Sequence, residues 1–151
     1  MTLAIALHLL AAVVWVGGMF FAYMALRPAA GSLLEPPLRL ALWAQVFRRF
    51  FPWVWAAVVV LLGSGLWMIF AGFGGMASVG WHVHAMLALG IVMMLIFGHL
   101  YFSPFRRLGQ AVAKEDWSDG AKRLNQIRLL VAINLGLGLL VVVIASAGRY
   151  L

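Results

Sequence analysis

Four long runs of apolar residues alternate along the chain with shorter segments that carry most of its charge. The runs cover about residues 3–26, 51–71, 81–102 and 127–147. A helix needs about 20 residues to cross the roughly 30 Å of hydrocarbon in a bilayer, and each run meets that length. The pattern therefore predicts an all-α fold, with one transmembrane domain over residues 1–151 that is a four-helix bundle in the lipid bilayer.

The segments between the runs predict two long connections on one side of the membrane and a short one on the other. Residues 27–50 contain three prolines, which interrupt helices. Within this segment, residues 38–47 predict an amphipathic helix that lies on the membrane surface. Residues 103–126 predict a solvated hairpin with some helix. The short connection is the glycine-rich segment 72–75.

The distribution of basic residues predicts the orientation of the chain. Nine of the eleven Lys and Arg lie in the two long connections, Arg128 lies just after the second of them, and the eleventh is Arg149. By the positive-inside rule these connections are cytoplasmic, so both termini lie outside the cytoplasm. We expect a multi-pass protein of the bacterial inner membrane. The net charge of +7 is explained by this topology and by anionic headgroups, and no nucleic acid partner is expected.

Composition limits the chemistry that the chain can perform. With 66% hydrophobic residues, the chain requires the bilayer as its solvent. It has no cysteine, which excludes disulfides, iron–sulfur clusters and thiolate metal sites. The four acidic residues all lie in the cytoplasmic connections, so no acid is expected beside an intramembrane histidine.

The four histidines are the main candidates for function, because ionisable residues inside a membrane are costly. They are His8, His82, His84 and His99. At 1.5 Å rise per residue, His8 and His84 lie roughly 9 Å and 5 Å below the outer surface, so they can face each other. His99 lies roughly 22 Å deeper than His84 and cannot share a metal ion with that pair.

Only one of the two histidines at the start of the third helix can point into the bundle, because they are about 200° apart. His84 is preferred, since apolar residues continue its face, and His82 is the alternate. The face of His84 continues with Ala88, Ile91 and Leu95, and the face of His82 with Met86, Leu89 and Met93.

A b-type haem with two histidine ligands is the leading hypothesis. After His8, the same face of the first helix carries Ala11, Ala12 and Trp15, which would leave a slot for a flat macrocycle and an aromatic ring to stack on it. Ordinary close packing is the other interpretation of this alanine stripe. Arg149, at the outer surface, would meet the haem propionates. Such a cytochrome would pass electrons between a membrane quinone or tetrapyrrole and an acceptor near the outer face.

Methionines near the outer face suggest copper as an alternative. Met68, Met76 and Met86 accompany His82 there, and thioethers with imidazole suit Cu(I). The protein would then be a copper transport or resistance permease. In either case a homodimer is an open prediction, because the stripe at Gly138 has the small residues of a helix–helix contact.

Short motifs along nearly the whole chain give a family resemblance. They are His8, Trp15-Val16-Gly17-Gly18, Arg27, Gly80-Trp81-His82-Val83-His84, His99 and Leu124-Asn125. In order and spacing they resemble the copper-resistance protein D (CopD) group. They also resemble the related four-helix HemJ proteins, which act as haem-containing protoporphyrinogen oxidases.

The resemblance implies a b-type haem held by His8 and by a group at the start of the third helix. Relatives usually have a lysine just after that start, where this chain has Met86 and offers His84 instead. This difference favours bis-histidine ligation and electron transfer. A HemJ-like protoporphyrinogen oxidase is the further alternative.

Overall fold

The computed structural model describes residues 1–148 and 150 and consists of four long helices joined by short turns. Its described residues contain no strand, so the predicted all-α four-helix bundle is confirmed. All four helices are long and apolar enough to cross a membrane. They are α1 (Thr2–Leu33), α2 (Pro36–Gly72), α3 (Trp81–Ala113) and α4 (Trp117–Ala147), with a short 3₁₀ turn at Met76–Ser78.

The helices are longer than the sequence predicted. They have 31 to 37 residues, which corresponds to about 46–56 Å against about 30 Å of hydrocarbon. The extra length carries most of the Lys and Arg, and we call this side of the bundle the basic end. The opposite side, with the N-terminus and residues 73–80, is the terminal end. At the basic end the predicted long connections shrink to the turns at residues 34–35 and 114–116.

The predicted separate surface helix over residues 38–47 is wrong. This segment is the first part of α2 and runs without a break into the apolar span. Pro36 and Pro37 occupy the first turn of α2, where a missing N–H costs little, so they start the helix instead of interrupting a longer one. Leu40 is buried and packs on Gly120 of α4, which fixes the segment against the bundle.

Pro28 and Pro104 lie at wide helical turns, whereas Pro52 lies within the regular α-helical part of α2. A π turn at Ala22–Leu26 comes just before Pro28, and another at Tyr101–Phe105 contains Pro104. Wide turns of this kind let a helix continue where the proline ring removes an N–H and crowds the preceding turn. The sequence pattern predicted breaks at these positions because it registers the proline and not the turn that compensates for it.

The bundle is two helix pairs held together by aromatic side chains. α1 packs mainly on α2, and α3 mainly on α4, while α4 also contacts α1 and α2. Phe51 of α2 lies at the centre, 3% exposed, with ring centroids 5.3 Å from Phe97 and 4.9 Å from Phe105 of α3. These edge-to-face contacts join the two pairs.

A polar and a small residue of α4 fix its contacts with α3 and α1. Asn134 is 2% exposed, and its Nδ2 donates to the carbonyl oxygen of Met93 at 3.1 Å. A Cβ placed on Gly138 would lie 2.9 Å from Val16 of α1 and 3.2 Å from Met93 of α3. Gly138 therefore packs against its own chain, and the homodimer stays a prediction.

We predict that Gly138→Leu destabilises the bundle by about 1–3 kcal/mol, because the new side chain overlaps Val16 and Met93. The measurement is thermal unfolding of the purified protein in detergent. Gly136→Leu is the matched control, since Gly136 is exposed and a Cβ there meets no atom within 4 Å. Equal melting temperatures for the two variants would contradict this packing.

Candidate functional site

His8 is held in one orientation by α2. Its Nδ1 lies 2.8 Å from Ser64 Oγ, and the Ser64 hydroxyl donates its hydrogen to Val60 O of its own helix at 2.5 Å. If this hydroxyl gives its one hydrogen to Val60 O, Ser64 Oγ accepts from His8 Nδ1, which then carries the imidazole proton. Nε2 of His8 is unprotonated in this tautomer. This tautomer leaves Nε2 able to bind a metal ion.

Gly65 brings α2 close enough for this contact. A Cβ on Gly65 would lie 3.3 Å from Cε1 of His8, so a larger residue would press on the ring. Sequence reasoning did not identify Ser64 as the partner of His8. The sequence does place the two residues at similar depth, because His8 and Ser64 each lie about two helical turns from the terminal end of the bundle.

The predicted inward face of α1 is confirmed by burial. Ala11, Trp15 and Met19 are all less than 9% exposed. Trp15 packs edge-on against Phe97 of α3, with ring centroids 6.1 Å apart and an angle of 68° between the rings. In the structure Trp15 thus joins α1 to α3, which accords with the close-packing interpretation of this stripe.

The predicted inward orientation of His84 is wrong. His84 is exposed, as are Ala88, Ile91 and Leu95 of the same face, so this face points away from the bundle. Nδ1 of His84 lies 3.2 Å from Gly80 O of its own chain segment. His8 points to α2 instead, and the structure does not bring the two imidazoles together. The expectation failed because a lipid-facing stripe is as apolar as a buried one.

The alternate histidine, His82, lies on the face that points into the bundle. His82, Met86 and Leu89 are partly buried, and Met93 further along the same face is 4% exposed. The His82 side chain packs against Gly148, just after α4. The imidazole of His82 lies over Gly80, and Met86 follows His82 by one helical turn on the same face.

The remaining predicted site residues do not join these groups. His99 is exposed on α3, near the basic end. Arg149, predicted to meet haem propionates, lies outside the described residues. Within residues 1–148 and 150, the structure contains no group of three or more His, Asp or Glu side chains that could hold a metal ion.

Two adjoining cavities, which sequence reasoning missed, lie toward the basic end. We call the first the apolar cavity; it has a volume of about 270 Å³ and aromatic and aliphatic walls that include Trp15 and Phe51. The second, the arginine pocket, has about 160 Å³ and is lined by Arg27, Arg39 and Arg128. The sequence signal was the excess of arginine over acid in these segments, which had been assigned to topology alone.

Comparison with known proteins gives one match. The family model described as copper resistance protein D matches residues 44–147. No curated protein and no solved structure matches the chain. The matched segment contains Ser64, His82, His84 and His99, whereas His8 and Trp15 precede it.

Proposed function

The chain belongs to the copper resistance protein D family, and on this premise we propose that it binds and moves Cu(I) at the terminal end of its bundle. The observation that carries the proposal is the inward face of α3, on which His82 and Met86 are partly buried neighbours. Imidazole and thioether are ligands that suit Cu(I). Copper is here the cargo of a multi-pass membrane protein of this family.

The chemistry of the terminal end supports copper over harder ions. The chain has no cysteine, and its four acidic residues lie at the basic end, so this site has no carboxylate or thiolate. Mg²⁺ and Ca²⁺ prefer carboxylate and carbonyl oxygens, whereas Cu(I) accepts neutral sulfur and nitrogen donors. Met68, at the end of α2, and Met76, in the short turn, are partly buried at the same end and extend the supply of thioethers.

We expect His82→Ala and Met86→Leu each to weaken Cu(I) binding at least about tenfold, because each removes a ligand. The measurement is competition between the purified protein and a chromogenic Cu(I) chelator. His99→Ala is the control, since His99 is exposed near the other end. Unchanged affinity in both variants, or an equal loss in the control, would refute the site.

A b-type haem is a second candidate function, and the Ser64–His8 contact favours it. Ser64 orients the ring of His8 through Nδ1, as second-shell partners of metal-binding histidines do, and Nε2 is the ring nitrogen that remains to bind a metal. His8 would hold the haem iron. His82, whose ring lies over Gly80, would have to turn toward α1 to be the second ligand, because His84 faces outward. A bound haem would supply one-electron chemistry between a quinone or tetrapyrrole and an acceptor near the terminal end.

For this second function we expect a Soret band and a reducible pigment in the purified protein. His8→Ala should abolish the band, and Ser64→Ala should reduce haem retention, because the imidazole loses its orienting contact. His84→Ala should leave the spectrum unchanged. The measurement is the dithionite-reduced minus oxidised spectrum, and a colourless wild-type protein that binds Cu(I) would decide for the copper function alone.

We also propose that the basic end faces the cytoplasm of a bacterial cell and that both termini lie outside it, in the inner membrane. The charge distribution supports this orientation. Because the chain has no cysteine, Ser78→Cys and Ser118→Cys place single labels on exposed residues at opposite ends. In spheroplasts, a membrane-impermeant maleimide should label residue 78 directly and residue 118 only after lysis. The reverse pattern would invert the topology.

A further inference from the structure

Three arginines from three helices converge on the arginine pocket. Arg27 comes from α1, Arg39 from α2 and Arg128 from α4, and all three line one space of about 160 Å³. Tyr23, Trp43 and Asn125 complete much of its wall. The pocket lies between helices at the basic end, where the apolar spans give way to the charged extensions.

No acidic side chain lines this pocket. Within the described part of the chain, the one ion pair joins Arg123 to Asp119 at 3.3 Å, and neither residue lines the pocket. Three like charges in one partly enclosed space repel each other, and the repulsion is larger than in open water. An anion in the pocket would offset this repulsion.

Local contacts orient two of the guanidinium groups and leave donors free. Arg27 lies over the Tyr23 ring at 4.3 Å, and its Nε donates to Tyr23 O at 3.2 Å. Arg39 donates through Nη2 to Leu34 O at 3.1 Å, while its Nε is buried and has no hydrogen-bond partner. A buried N–H without an acceptor is costly, so an acceptor atom placed in the pocket would be stabilised by this group.

The arginine pocket adjoins the apolar cavity. Ala22, Phe47 and Val131 line both spaces. The apolar cavity also includes Phe21, which is 60% exposed, so the cavity extends to the lipid-facing surface of α1. A ligand that fills both spaces therefore has an anionic head and a long apolar part.

We propose that this paired site binds one anionic phospholipid, with its phosphate among the three arginines and an acyl chain in the apolar cavity. Phosphate oxygens match the planar donors of guanidinium groups, and basic pockets between transmembrane helices suit anionic headgroups. The apolar cavity argues for a lipid over a water-soluble phosphate. The site is distant in the fold from His82 and Met86, so lipid binding can be tested independently of copper binding.

The proposal is tested by native mass spectrometry of the detergent-purified chain. The two lipids compared are phosphatidylglycerol and phosphatidylcholine with identical acyl chains. We expect wild type to prefer phosphatidylglycerol. Arg39→Gln and Arg128→Gln should each weaken that binding about fivefold or more. Arg48→Gln is the matched control, because Arg48 is an exposed arginine of the basic end that does not line the pocket. Arg128 is itself exposed, so its replacement does not disturb the core.

Two further measurements distinguish binding of the lipid headgroup from binding of its acyl chain. Val131→Phe, which adds bulk where the two spaces meet, should weaken phosphatidylglycerol binding with all arginines present. Millimolar inorganic phosphate should leave the bound lipid in place. Equal affinity for the two lipids, an equal loss in Arg48→Gln, no effect of Val131→Phe, or displacement by inorganic phosphate would each overturn the proposal.

Discussion

Helices inside a bilayer gain nothing from hiding apolar surface, because lipid is as apolar as their own side chains. The arrangement of this bundle therefore depends on the few contacts that lipid cannot supply. Asn134 donates to the backbone of Met93, Ser64 forms a hydrogen bond with His8, and Phe51 packs against aromatic rings of α3. These contacts determine which face of each helix points inward, and hence which histidines are available for chemistry.

This constraint explains what the sequence could and could not predict. Length and hydropathy located the four spans, because the thickness of the membrane sets them directly. They could not orient α3, since the faces of His82 and His84 are both apolar and only the contacts of Met93 and Phe97 distinguish them. On α1 the predicted inward face was correct. Trp15 and Ala11 mark it by combining large and small side chains, as close packing requires.

The basic end shows a second limit of sequence patterns. Prolines and charges predicted loops there, yet the helices continue through π turns and begin again at Pro36. Continuous helices place Arg27, Arg39 and Arg128 at fixed positions around one pocket, which flexible loops would not do. The same residues that set topology through the positive-inside rule are thereby available to bind a specific anion.

The two ends of the bundle thus offer opposite chemistry. The terminal end has imidazoles and thioethers without a carboxylate, which suits a soft cation, and the basic end has guanidinium groups without a carboxylate, which suits an anion. Trp15, Phe51 and Phe97 lie between them and line the apolar cavity. A cation that enters at His82 therefore meets apolar, largely aromatic surroundings and beyond them a positively charged pocket. Both features oppose the passage of copper through the bundle in this conformation. A permease mechanism therefore requires α3 and α4 to separate from α1 and α2. Capture of copper at the terminal end requires no such movement.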